Sequence, residues 1–305
     1  MTAVLAGMAQ VLHIALLLSA APMLMGFERA ATAVLSGAAM PSPLVPWRDL
    51  ARLGRKQPST VETASWLCRA APSAGFACTL LAAALVPTFS LGLLLAPWAD
   101  LLTITGLLLL ARLAGLLAAL DPGSGRAGMA VAQRARQGVL AETVILLVVM
   151  ALALLAASTN LDQIGVLQVE AAFAPHVAAA LGFVALLAVA VTDTAGDDAA
   201  LTLEAAGRDL AVLRMTEALR RLTWLNLALL AFLPIGLAPP DGGILAWGIG
   251  LVVWIVRLAA VVLVLAVLRA VVGRMPARWT AGVLSLAGLL GALAVVLALS
   301  RAGAA

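Results

Sequence analysis

Three ionisable residues stand inside long apolar runs of this chain: Arg112, Glu142 and Arg257. Lipid makes such groups costly, with Arg near a helix centre adding ~2.5–3.5 kcal/mol on insertion scales. A carboxyl such as Glu142 can exchange a proton, and a nearby Arg would tune its pKa. The same residues also fit a fixed ion pair that aligns helices or docks a partner subunit. For Arg112 and Arg257 the structural role is the simpler one, because Arg does not release its proton. Asp193 and Arg69 flank the apolar runs at their ends. His13, in the first run, reads as a neutral, hydrogen-bonded packing residue, with proton relay as the alternative. His176 is expected at the membrane interface.

Other chemistries lack their motifs. Gly123-Ser124-Gly125-Arg126 has neither the spacing nor the Lys of a phosphate-binding loop. There is no HExxH, no Gly-x-Ser-x-Gly and no Cys/His metal set. Asp197-Asp198 is an acidic pair, which alone is a weak metal signal. Cys68 and Cys78 are ten apart, a spacing that suits neither a redox pair nor a metal knuckle, so both are expected to be small helix residues. The chain is expected to carry no catalytic site, metal or cofactor of its own.

The elements that hold these charges follow from composition. Of 305 residues, 64% are hydrophobic and 11% charged, against ~25% charged in soluble domains. A water-soluble core cannot hide so much apolar surface, whereas lipid can. The formal charge is +4. The cations are Arg with one exception, Lys56, and they sit between apolar runs, which argues against nucleic acid. Few aromatics and many Leu, Ala and Val suit packed helices better than a β-barrel.

About 20 apolar residues cross a bilayer as a helix. Eight stretches qualify: 3–25, 66–92, 98–120, 138–158, 173–192, 222–238, 243–268 and 279–300. The expected fold is all-α, a single polytopic membrane domain over 1–305 with about eight transmembrane helices. No basic region precedes the first run, so 3–25 is read as a retained helix rather than a signal peptide. Glu28 through Leu35 is expected to lie along the membrane surface. Linkers 26–65, 121–137, 193–221 and 269–278 carry Arg or Lys, and the three linkers between them carry none. That alternation predicts basic linkers in the cytoplasm and both termini on the outer (periplasmic) side.

The order of these linkers resembles the complex I subunit 1 family, in particular its formate hydrogenlyase (hydrogenase 4-type) membrane-anchor branch. Pro41-Ser-Pro-Leu-Val-Pro-Trp-Arg-Asp-Leu50, Leu53-Gly-Arg-Lys56 and Ala64-Ser-Trp-Leu-Cys-Arg-Ala-Ala-Pro72 are similar to the family's "YRDL", "KL.RK" and "S.W.FR.AP". Ala111-Arg112 with Ala119-Leu-Asp-Pro-Gly-Ser124 resembles "LAR…LALDTGS". Gly128-Met129 through Leu140-Ala-Glu142 parallels "GMGASRE…LAE", and Ala206-Gly-Arg-Asp-Leu-Ala211 parallels "SGRDLAL".

The resemblance implies a membrane subunit that anchors the soluble arm of a redox complex and helps couple it to ion movement in the inner membrane. Nickel–iron and iron–sulfur centres would belong to hydrogenase or dehydrogenase partners, beside antiporter-like membrane subunits. Arg48, Asp49, Arg55, Lys56, Arg69, Arg208 and Asp209 are the implied docking residues. Glu142 and Arg112 carry over most directly, Asp193 stands in for a family Glu, and Glu204 and Asp209 follow. The linker 193–221 is about ten residues shorter than the family's, so a quinone site is not expected in its usual form. An independent secondary transporter and a purely structural scaffold are the alternative readings.

Overall fold

The computed structural model describes residues 3–57, 63–170, 177–192, 205–234, 236–239, 243–272 and 279–302. Among these residues the chain is all-helical, with two isolated β-bridges and no strand. Its helices are α1 (Ala3–Leu35), α2 (Val45–Gly54), α3 (Trp66–Leu85), α4 (Leu101–Leu120) and α5 (Gly125–Ala156), then α6 (Leu161–Glu170), α7 (Val177–Thr192), α8 (Gly207–Phe232), α9 (Ile244–Val272) and α10 (Trp279–Ala302).

Six of them, α1, α3, α4, α5, α9 and α10, are long and apolar enough to cross a membrane. The two other predicted stretches fall on α7, apolar but 16 residues long, and on the last turns of α8. Leu102, Leu109, Leu110, Leu113 and Leu117 stand exposed along α4, as a lipid-facing wall requires.

Several boundaries differ from the sequence reading, each for a local reason. α1 runs on to Leu35, absorbing the predicted surface helix, because Glu28 is buried inside the bundle and the helix has no cause to break there. α3 stops at Leu85 rather than 92, since Pro87 forces Val86 into extended backbone. α5 starts at Gly125 rather than 138, where the Ser124 side chain accepts the Ala127 N–H at 3.2 Å. Most of the predicted linker 121–137 is therefore helix. α8 likewise starts at Gly207 rather than 222 and gives way to Leu233-Pro234. Two short helices, α2 and α6, form in segments read as linkers.

Packing relies on small residues. A Cβ at Gly75 of α3 would lie 3.3 Å from the Ala111 carbonyl and 3.5 Å from Ala114 Cβ on α4. Such positions let helix backbones approach closely, the main source of contact energy where lipid is as apolar as the core. α1 packs on α8 and α9, and α10 on α5 and α7.

One end of the bundle carries the starts of α3, α5 and α8, with their arginines. At the opposite end two stretches outside the α-helices, 86–100 with a 3-10 turn at Ala96–Trp98 and the described residues of 233–239, run side by side. Ala238 N donates to Phe89 O at 2.9 Å and Leu91 N to Ala238 O at 3.0 Å. α9 accommodates this seam at Gly250, where the Phe89 carbonyl fills the space a Cβ would need.

Candidate functional site

The predicted residues Arg112 and Glu142 meet. Arg112 Nη1 donates to Glu142 Oε1 at 3.0 Å, joining α4 to α5. Their side chains are 10% and 15% exposed, so the pair sits in a low-dielectric setting rather than in water. One turn before Glu142, Gly138 supplies the space: a Cβ there would lie 3.3 Å from Arg112 Nε. The guanidinium lies over the α5 backbone between Gly138 and Glu142.

A second cluster grows from α8. Glu217, Arg220 and Arg221 stand at i, i+3 and i+4, on one helix face. Arg220 donates to Glu217 through Nε at 3.1 Å and Nη2 at 3.0 Å, and Arg221 Nε donates to Glu217 Oε1 at 3.0 Å. Arg221 Nη1 also lies 3.8 Å from Glu28 Oε2, which links α8 to α1. Glu28, Arg134 and Arg220 are all buried.

Two cavities connect the clusters. A space of about 50 Å³ is bordered by Glu28, Arg112, Arg220, Arg221 and apolar side chains of α7, α8 and α9. A second, of about 100 Å³, is bordered by Gly75, Arg112, Arg134, Glu217 and Arg220. Arg112 and Arg220 face both. Water occupies ~30 Å³ in the liquid, so each space admits water, and the polar walls supply partners for it. Carboxylates, guanidiniums and room for water therefore alternate through the arginine-rich half of the bundle.

Arg257 lies apart from this network. It donates to two backbone carbonyls, Leu233 O through Nη1 at 2.6 Å and Thr88 O through Nη2 at 3.4 Å. It is thus no partner of Glu142; it clamps the two non-helical stretches together. Thr88 also bonds His13, whose Nδ1 lies 2.9 Å from Thr88 Oγ1 and whose Nε2 lies 3.2 Å from Ala83 O. A carbonyl only accepts, so Nε2 carries the proton and Nδ1 accepts from the Thr88 hydroxyl. That is the packing role expected for His13.

The predicted docking residues gather at the arginine-rich end. Arg48, Arg55, Lys56, Arg69 and Arg208 are exposed, and Asp49 and Asp209 are half-buried. Asp49 Oδ1 accepts from Arg52 at 3.1 Å. Two motif stretches also touch: Asp121 accepts from Ser65 N and Ser65 Oγ at 2.6 Å each and from Cys68 N at 3.3 Å, capping α3. Asp193, Glu204, His176 and Asp197-Asp198 lie outside the described residues. Cys68 and Cys78 share α3 about 15 Å apart along its axis, too far to ligate one metal together.

Sequence reading missed Glu28, Arg134, Glu217 and Arg220 as network members. The spacing of Glu217, Arg220 and Arg221 was the available signal.

Comparison with known proteins bears on this arrangement. The family model described as NADH dehydrogenase matches residues 8–297. The chain belongs to that family. Within it, "Formate hydrogenlyase subunit 4" of Escherichia coli (strain K12) is 31% identical over 148 residues, which cover 48% of this chain and 48% of the relative. "Hydrogenase-4 component C" of the same organism is 29% identical over 149 residues, 49% of this chain and 47% of the relative. Each match spans about half the length of the curated relative. A chain in the structure of the membrane-bound sulfane sulfur reductase, an archaeal respiratory membrane complex, superposes with a TM-score of 0.80 at 18% identity. That superposition covers 98% of this chain and 100% of the other, and it shows the fold.

Proposed function

We propose that this member of the NADH dehydrogenase family is the membrane-anchor subunit of a hydrogenase-type or complex I-like redox assembly. It docks a soluble electron-transfer arm and helps couple it to proton or ion movement in the inner membrane. The observation that carries the reading is the buried network around Arg112, with Glu142, Glu217 and Glu28 as its proton-exchanging groups and two water-sized cavities between them. A scaffold needs helix contacts, and apolar pairs supply them without the desolvation cost of so many buried or half-buried charges. A family match over nearly the whole chain weighs against an independent transporter.

In this reading the arginine-rich end faces the cytoplasm and both termini lie outside. α2 and the starts of α3 and α8 present Arg48, Asp49, Arg55, Lys56, Arg69, Arg208 and Asp209 to the arm, where complementary charge steers association. Asp193, which follows α7 directly in sequence, is taken as a further member of the polar path. Nickel–iron and iron–sulfur centres reside in the partner subunits, and antiporter-like subunits flank the anchor.

The test is purification in mild detergent followed by reconstitution. The wild-type chain brings redox and antiporter-like partners with it. Glu142→Gln keeps those partners and lowers coupled ion movement at least several-fold in sealed vesicles. Unchanged coupling with an intact assembly would refute the role of Glu142, and purification of the chain alone would refute the anchor.

A further inference from the structure

The network just described ends below a second polar feature, the seam between the two non-helical stretches at the opposite end of the bundle. Backbone that leaves the helical state inside a membrane exposes N–H and C=O groups that lipid cannot satisfy, so it persists only where protein or water serves it. Here 86–100 and 233–239 share two backbone hydrogen bonds. Gln10 of α1 serves both sides of the break, its Nε2 donating to Ala84 O in the last turn of α3 at 3.0 Å and its Oε1 accepting from Leu95 N at 3.4 Å.

The distance from cavity to seam is short. The smaller cavity is bordered by Leu225 and Ala228 of α8 and by Val261 of α9. Asn226 lies between the first two in sequence but on another face of α8, and its Nδ2 is buried without a hydrogen-bond partner. Its Oδ1 accepts from Trp254 Nε1 at 2.9 Å. Arg257 stands one turn from both Val261 and Trp254. Arg257 is thus one turn from the cavity wall at Val261, and it bonds the backbone of Thr88, whose hydroxyl bonds His13.

Arg257 places a positive charge between the cavity wall at Val261 and the seam. Its contacts are carbonyls, and among the described residues no carboxylate lies within ion-pair distance of it. Its Nε is buried without a partner. The buried arginines of the charge network are arranged differently, Arg112, Arg220 and Arg221 each beside a glutamate. We propose that Arg257 is a fixed electrostatic barrier that keeps hydronium and metal cations from crossing the seam. It occupies the carbonyl oxygens that would coordinate a cation and repels any cation that approaches. A charge left without a counter-ion repels another charge strongly in a low-dielectric site.

The inference rests on the proposed ion-handling role of the network but is read by a different measurement, passive leak in the absence of turnover. The whole assembly is reconstituted into liposomes, and proton uptake is followed with a pH dye under a potassium diffusion potential at pH 8. Wild type and Arg257→Lys vesicles are expected to be tight. Arg257→Met and Arg257→Gln, which lose the charge, are expected to leak roughly 10- to 100-fold faster, the size that removing one unscreened charge implies. Arg257→Met vesicles as tight as wild type, with the protein monodisperse, would overturn the barrier.

If the uncharged variants fail to fold, Asn226→Asp decides. It leaves Arg257 in place, keeps the acceptor for Trp254 and adds a negative charge about one helix turn from Arg257. Faster leak supports the barrier and unchanged tightness overturns it. A leak in Arg257→Met alongside normal coupling in Glu142→Gln would sink the proposed proton role and leave the barrier standing.

Discussion

Arg112 and Glu142 are thirty residues apart, on two helices, and their facing atoms are 3.0 Å from each other. Removing one partner of a buried pair costs ~3–5 kcal/mol, because the other charge stays behind. Slight exposure of both groups lowers that figure. Arg112→Met is therefore expected to destabilise the bundle by about 2–4 kcal/mol, and Glu142→Gln, which still accepts a hydrogen bond, by about 1 kcal/mol. Replacing both by Met and Leu should recover most of the loss, since an apolar pair carries no desolvation penalty. Unfolding midpoints of the singles and the double in one detergent check this. Additive losses would show that the two side chains do not depend on each other.

Gly138 is the neighbour that lets the pair form. A methyl group there meets Arg112 Nε at 3.3 Å, so Gly138→Ala needs a small shift and Gly138→Val a larger one. Wild type is expected to be the most stable, Gly138→Ala less so and Gly138→Val least, against the ordinary helix preference for Ala over Gly. Gly128, on the same helix, has open space around its Cβ position. Gly128→Ala should stabilise by about 0.5–1 kcal/mol, as Ala does in an unhindered helix. Thermal unfolding of the three variants separates a local clash from a general effect of Gly on α5.

The division between what sequence revealed and what it hid has a physical basis. Hydrophobic runs show through composition alone, so each of the eight apolar stretches coincides, at least in part, with a helix of the structure. Helix ends inside polar segments do not show that way. Residues 125–137 and 207–221 carry many charges, yet they continue α5 and α8: the bundle covers Arg134, Glu217, Arg220 and Arg221, while Arg126, Arg136, Arg208 and Arg214 stay exposed. In sequence Glu28 reads as the start of a helix on the membrane surface for the same reason. Arg112 and Glu142 were legible because a lone charge in an apolar run must find a counter-ion. Arg257 met that logic differently, with carbonyls of a broken segment in place of a carboxylate. No periodicity in 86–100 announces such a segment; only Pro87 hints at where α3 stops.

Asp121 is a test of the α3 cap. The Ser65 hydroxyl, with the Ser65 and Cys68 backbone N–H groups, holds its carboxyl below the ordinary 3.8. A depressed carboxylate contributes stability that is present above the unfolded value and lost as pH falls through the folded one. Protection of the first turn of α3 against hydrogen exchange should therefore be constant above about pH 5 and weaken below pH 4. Asp121→Ala should remove that pH dependence and open the turn at neutral pH. A pH profile identical to wild type in the variant would show that Ser65 caps the helix unaided.

Asp162 provides the opposite sign. It sits at the start of α6, where burial raises its carboxyl above 3.8 although Gly92 N donates to Oδ1 at 2.9 Å. For a raised acid, the folded state binds the proton more tightly than the unfolded state. The stability this group contributes is full below pH 3.8 and is lost as pH rises through the folded value. At neutral pH the ionised carboxylate is thus a net cost. Asp162→Asn keeps the acceptor for Gly92 and removes the charge, so Tm at pH 7 should rise by about 1–2 °C. The difference from wild type should shrink as pH falls toward 4. Asp162→Ala discards the acceptor as well. It leaves the Gly92 N–H stranded in the fold of the 86–100 segment and should cost about 1–2 kcal/mol. A lower Tm for the Asn variant at pH 7 would show that the charge stabilises this turn.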